Sequence, residues 1–72
     1  MEREWLERLR KEKKMTHEQV ANRAKITRQY YGMIASGERD PRVEVAKKIG
    51  NTLDFNWTLF FDKEGNKTIP YN

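Results

Sequence analysis

Hydrophobic residues recur along this chain at helical rather than strand spacing. Trp5, Leu6 and Leu9 share one helical face, with Glu2 and Glu4 ahead of them and Lys11, Lys13 and Lys14 behind, an order of charge that complements the helix dipole. Thr16-His17-Glu18-Gln19 then has the form of a capping box, bracketed by Met15 and Val20 as a hydrophobic staple. A second helix is therefore expected to start at Thr16 and to turn Val20, Ala21 and Ala24 inward. Lys25-Ile26 interrupts it, and Thr27 offers a new cap with Ile26 and Tyr31 as a second staple, so only about three residues separate the two helices. The third helix is expected to run from residue 28 to residue 35 or 36 and to stop at Gly37, which can take the left-handed conformation past a helix end.

Asp40-Pro41 reads as an N-cap followed by proline at the first position of a fourth helix, whose inward face is Val45, Ala46, Ile49 and Leu53. Asn56 can cap a fifth, short helix over residues 57–61, with Phe55 and Phe60 as a third staple. Residues 62–66 read as a turn and residues 67–71 as an extended tail. The pattern predicts one all-α domain over residues 1–61 followed by a turn and tail over residues 62–72. Gly32, in the middle of the third helix, should cost roughly 1 kcal/mol relative to alanine. Either a backbone or phosphate approaches closely there or the position is tolerant, and tolerance is the favoured reading.

A chain of 72 residues holds one small core. Cysteine is absent and His17 is the sole histidine, so neither a disulfide framework nor a multi-histidine or thiolate metal site can be built, and no cofactor or metal is expected. The N-terminal segment is charged from its second residue, and apolar runs such as Leu59-Phe60-Phe61 are too short for a signal or a span, which points to an unsecreted, cytoplasmic protein with no membrane partner. Catalysis is not expected. Ser36 is the only serine, His17-Glu18 lacks the second histidine of a zinc-protease motif, and no glycine-rich phosphate loop is present.

The net charge of +4 is unevenly spread. Residues 8–42 carry ten Lys and Arg against four Asp and Glu, a bias that fits either a polyanion such as nucleic acid or an ordinary solvated helical surface. Position has to decide. A helix, a tight turn and a second helix among further short helices is the arrangement that sets one helix into the DNA major groove.

HEQVANRAKITRQYYGMIASGERDP resembles the helix-turn-helix core of the Cro and phage-repressor type regulators, the xenobiotic-response-element family, and the similarity extends through VAKKIGNTLDFNWTLFF to cover roughly residues 5–61. Ala21, Ala24, Ile26, Ile34, Gly37 and Asp40-Pro41 coincide with that pattern. The resemblance implies a compact five-helix, lambda-repressor-like domain with helices 2 and 3 as the helix-turn-helix. It implies sequence-specific binding of double-stranded DNA by a transcriptional regulator, expected to be a repressor of a phage, mobile-element or bacterial operon.

By the same resemblance, Arg28, Gln29 and Met33 face base edges, with Thr27 beside them at the groove entry. The helical wheel agrees independently, because Gln29, Gly32, Met33 and Ser36 point outward if Tyr31, Ile34 and Ala35 point inward. Arginine can read guanine through O6 and N7, glutamine can read adenine through N6 and N7, and the side chains of threonine and methionine can meet the thymine methyl. Thr16 and His17, at the first turn of the second helix, are expected to approach a phosphate, although His17 could equally be plain surface. Ser36, Arg39 and Arg42 are expected to reach flanking phosphates, with either arginine able to lean toward the minor groove.

Two departures from the family pattern stand out. Many members carry a glutamate where this chain has Ala35, paired with an arginine that corresponds to Arg10, so Arg10 is expected either to meet DNA or to point to solvent. Tyr31 fills an inward site usually held by valine or isoleucine, and its hydroxyl needs a partner if buried. The aromatic group Phe55, Trp57, Phe60, Phe61 and Tyr71 either completes the core against Trp5 or, through Trp57 or Phe61, joins two copies into a weak homodimer on an inverted-repeat operator. An alternative reading is the antitoxin of a toxin–antitoxin pair, with the same DNA-binding core and a protein partner at the aromatic end.

Overall fold

The computed structural model describes residues 2–62, and these form helices joined by short turns, with no strand among the described residues. The elements are α1 (Glu4–Glu12), α2 (His17–Ala24), α3 (Arg28–Ser36), α4 (Val43–Leu53) and a 3₁₀ helix (Trp57–Phe61). The fifth helix expected from the sequence is thus a 3₁₀ turn rather than an α-helix. Asn56 accepts from the Thr58 amide at 3.0 Å and from the Thr58 hydroxyl at 2.8 Å, tightening the first turn of a segment only five residues long. Of the expected turn and tail, all but Asp62 lies outside the described residues, Tyr71 included.

The helix starts follow from local chemistry. Both halves of the capping box are present, with the Gln19 amide donating to Thr16 Oγ1 at 3.1 Å and the Thr16 amide donating to Gln19 Oε1 at 2.8 Å. Thr27 Oγ1 accepts from the Tyr30 amide at 3.0 Å and begins α3. Three helix ends share one closure. A non-glycine residue turns left-handed, Lys14 (φ 56°), Lys25 (φ 60°) or Asp54 (φ 65°). The next amide then returns to a carbonyl five residues back, as Met15 to Arg10, Ile26 to Ala21 and Phe55 to Gly50. α3 ends on Gly37 at φ 87°, a conformation that glycine adopts without a Cβ clash.

One cap differs from expectation. The α4 N-cap is Arg42, which makes no side-chain capping bond, and Pro41 is buried one residue earlier. Asp40 faces back toward the start of the chain and binds the guanidinium of Arg3. The local Asp-Pro pattern is overridden by a charge 37 positions away in sequence.

α2 packs against both α3 and α4, α4 supports the 3₁₀ helix, and α1 leans on α3. The core comprises Leu6, Val20, Ala21, Ala24, Tyr31, Ile34, Ala35, Ala46, Ile49, Leu53 and Phe60. The aromatic group divides in two. Phe55 and Phe60 set their rings edge-on to Trp5 at 5.3 and 5.2 Å and complete the core. Trp57 packs half-buried against the edge of the core with Lys47 over its ring at 5.3 Å, and Phe61 remains 43 % exposed. Gly50 makes the junction possible, because a Cβ there would lie 2.8 Å from the Phe55 carbonyl oxygen and 3.2 Å from Trp57 Cβ.

Candidate nucleic-acid interface

α3 presents two chemically different sides. Tyr31, Ile34 and Ala35 are buried, while Arg28, Gln29 and Ser36 are exposed and Gly32 and Met33 half-buried, as the helical wheel anticipates. Arg28 and Gln29 occupy the first turn, Thr27 is exposed beside them, and Met33 follows one turn on. A Cβ at Gly32 would meet no atom within 4 Å, so nothing within the fold requires glycine there.

The remaining candidates fall into two groups at opposite ends of α3, whose nine residues span about 13 Å. At its start, Thr16, His17 and Arg28 line one open cleft together with Arg10 and Glu18. The capping box uses the Thr16 hydroxyl and the Gln19 amide, and Val20 bonds to the Thr16 carbonyl, which leaves the His17 and Glu18 amides as donors at this helix start. At the far end, Arg39 and Arg42 are exposed and form no ion pair among the described residues. Ser36 is less free, since its hydroxyl donates to the Met33 carbonyl at 3.1 Å and accepts from the Glu38 amide at 3.3 Å.

A polar cluster that the sequence reading did not assemble backs the first cleft. Glu7, on α1, receives Arg10 Nη2 at 2.8 Å and lies 3.1 Å from His17 Nε2. Arg10 also donates to the Met15 carbonyl at 2.7 Å. Arg10 therefore does not simply point to solvent: with alanine at position 35, it turns to a carboxylate three residues earlier on its own helix while still lining the cleft. Burial by itself would push the Glu7 carboxyl up, but the hydrogen bonds from Arg10 and His17 outweigh it and hold the group below its ordinary value. The hydrogen bonds that Arg10 donates to Glu7 raise the guanidinium further, so both stay charged. The His17 ring also meets Tyr31 edge-on at 5.0 Å. It is thus partly committed within the fold, with one face left on the cleft.

Sequence reasoning also missed Arg3. Its guanidinium contacts the last turn of α3 and the loop beyond, across sequence separations of 31 to 37 residues. Nothing local marks its side chain, since Arg3 is the N-cap of α1 but makes no side-chain capping bond there, and it belongs to no hydrophobic period. The only available signal was an acceptor-rich helix end with no basic residue in its own last turn.

The fold and much of the sequence have counterparts. The helix-turn-helix family profile matches residues 6–60. The chain is 52 % identical over 68 residues to the uncharacterised HTH-type transcriptional regulator YqaF of Bacillus subtilis, covering 94 % of this chain and 90 % of that protein. Among solved structures, the N-terminal DNA binding domain of SinR from Bacillus subtilis superposes with a TM-score of 0.73 over 85 % of this chain and 90 % of the other. At 21 % identity that likeness concerns the fold.

Proposed function

The chain belongs to the helix-turn-helix family, and on that premise we propose that it is a sequence-specific double-stranded DNA-binding regulator, a repressor acting in the bacterial cytoplasm with α3 in the major groove. The observation that carries this reading is the division of α3 into a buried side and an outward side that begins with Arg28 and Gln29. Both side chains can pair in bidentate fashion with a purine edge, and Thr27 and Met33 add apolar contact suited to a thymine methyl.

Anchoring is assigned to the two flanking groups. At the start of α3, the free amides of the α2 first turn, with Thr16 and His17 around them, hold one phosphate. Glu18 at the cleft edge limits how deep it can sit. At the other end, Arg39 and Arg42 reach the next phosphates, with the Ser36 hydroxyl as a weaker contributor. Two such modules reading an inverted repeat would be joined through the C-terminal aromatic end, where Phe61 is exposed, and this second copy is the protein partner we assign.

Selection of bound sequences from a random duplex library tests the reading. The expected product is an inverted repeat with half-site centres about 10 base pairs apart. Enrichment of no sequence would overturn the proposal. Replacement of Arg28 or Gln29 by alanine is expected to cost about 1–3 kcal/mol on the selected duplex and to relax preference at one or two base pairs.

A further inference from the structure

The side chain of Arg3 is only 13 % exposed, although the residue precedes the first helix. Its Nη1 donates to the Ile34 carbonyl at 2.6 Å and to the Arg39 carbonyl at 3.2 Å, its Nη2 binds the carboxylate of Asp40, and its backbone amide donates to the Ala35 carbonyl at 2.9 Å. The guanidinium carbon stands 5.5 Å from the centre of the Phe60 ring. One residue thereby ties the start of α1, the end of α3, the following loop and the 3₁₀ helix.

From this geometry we infer that Arg3 is a positioning residue for base recognition, fixing the angle of α3 and the path of residues 37–42 without touching DNA. The inference rests on the proposed role of α3. A helix leaves its last four carbonyls without intrahelical partners. In α3, Met33 is met by Ser36 Oγ and the Arg39 amide, Ile34 by the Gly37 amide and Arg3, and Ala35 by the Arg3 amide. Arg3 thus supplies two of the bonds that close the end, and places a positive charge where the helix dipole favours one. It also holds the Arg39 carbonyl while the Arg39 side chain stays exposed, so the proposed phosphate contact inherits its direction from Arg3. A planar fork with several fixed donors is required to span these acceptors, which a lysine ammonium does not supply.

The test compares the wild-type chain with Arg3→Ala, Arg3→Lys and Asp40→Asn on the selected duplex and on a scrambled one, across salt concentrations, with circular dichroism to follow folding. Arg3→Ala is expected to weaken the selected duplex about tenfold and the scrambled one by less than about threefold, with an unchanged salt slope. Arg3→Lys is expected to restore little of this. Asp40→Asn leaves the main-chain bonds in place, should stay folded even if Arg3→Ala does not, and is expected to lose selectivity in the same direction to a smaller extent. A slope flattened by about 0.9 per subunit with equal losses on both duplexes would make Arg3 a phosphate contact and overturn the inference. So would variants indistinguishable from wild type, while the DNA reading stands. A wild-type chain that selects no duplex overturns both.

Discussion

The hydroxyl of Tyr31 is buried, and no group among the described residues bonds it. Burying such a group without a partner is costly, whereas removing it leaves an aromatic ring of nearly the same shape. Tyr31→Phe is therefore expected to stabilise the chain by about 1 kcal/mol, visible as a rise of roughly 4–8 °C in Tm for a domain of this size. The same residue governs behaviour at high pH. Burial, together with the Glu7 charge, raises the Tyr31 hydroxyl well above its ordinary value of 10.0, so the folded state holds this proton more tightly than the unfolded one. Stability from this source is complete below the unfolded value and is lost as pH rises through the folded one. The denaturation midpoint should fall above pH about 10, and less steeply in Tyr31→Phe than in the wild-type chain. Glu7 works in the opposite direction. Its lowered carboxyl contributes stability above its unfolded value that disappears as pH falls through the folded one, and Glu7→Gln should remove that acid dependence.

At the scale of elements, the two helical glycines away from the left-handed turn have opposite meanings. Gly50 is held by close approach, since its substituent would run into the Phe55 carbonyl and the Trp57 backbone. Gly32 faces open space. Gly50→Ala should destabilise by about 1–3 kcal/mol in denaturant titrations, because the α4 end would have to part from the 3₁₀ helix. Gly32→Ala should stabilise by up to about 1 kcal/mol. A destabilised Gly32→Ala would mean that α3 packs differently. The contrast shows what a sequence carries and what it does not. The starts of α2 and α3, the stop at Gly37 and the inward residues of α2, α3 and α4 were legible, because each depends on local chemistry and helical spacing. Asp40, Arg10 and His17 were not legible. Their partners are Arg3 and Glu7, and a charged side chain is free to choose among acceptors that only the folded chain brings near. The short helix over residues 57–61 was legible from its cap but its 3₁₀ form was not, since a cap is visible in sequence while the tightness of the turn it starts is not.

For the whole molecule, the placement of basic side chains at both ends of α3 makes binding a problem of counterions as much as of bases. With about four phosphate contacts per subunit, a dimer should show a log–log salt slope near −7, and Arg39→Ala should flatten it by about one unit per subunit while leaving base preference intact. A slope near zero would refute the phosphate assignments. Phe61→Ala, at an exposed position, should leave the fold unchanged but weaken operator-bound pairing in light scattering. Dimers that persist unchanged would move the interface elsewhere, for instance to the exposed Val43. The Arg3 bonds also have a temporal consequence. The turn between α2 and α3 closes over neighbouring residues, whereas Arg3 joins points 31 to 37 residues apart and so demands the larger loss of chain entropy before it gains anything. The helix pair should form early and the Arg3 strap late, after the barrier is crossed. In stopped-flow experiments Arg3→Ala should therefore accelerate unfolding and leave the refolding rate nearly as it was, whereas slowed refolding would put the strap inside the nucleus. The chain would then be protected from opening by a clasp that plays no part in its closing.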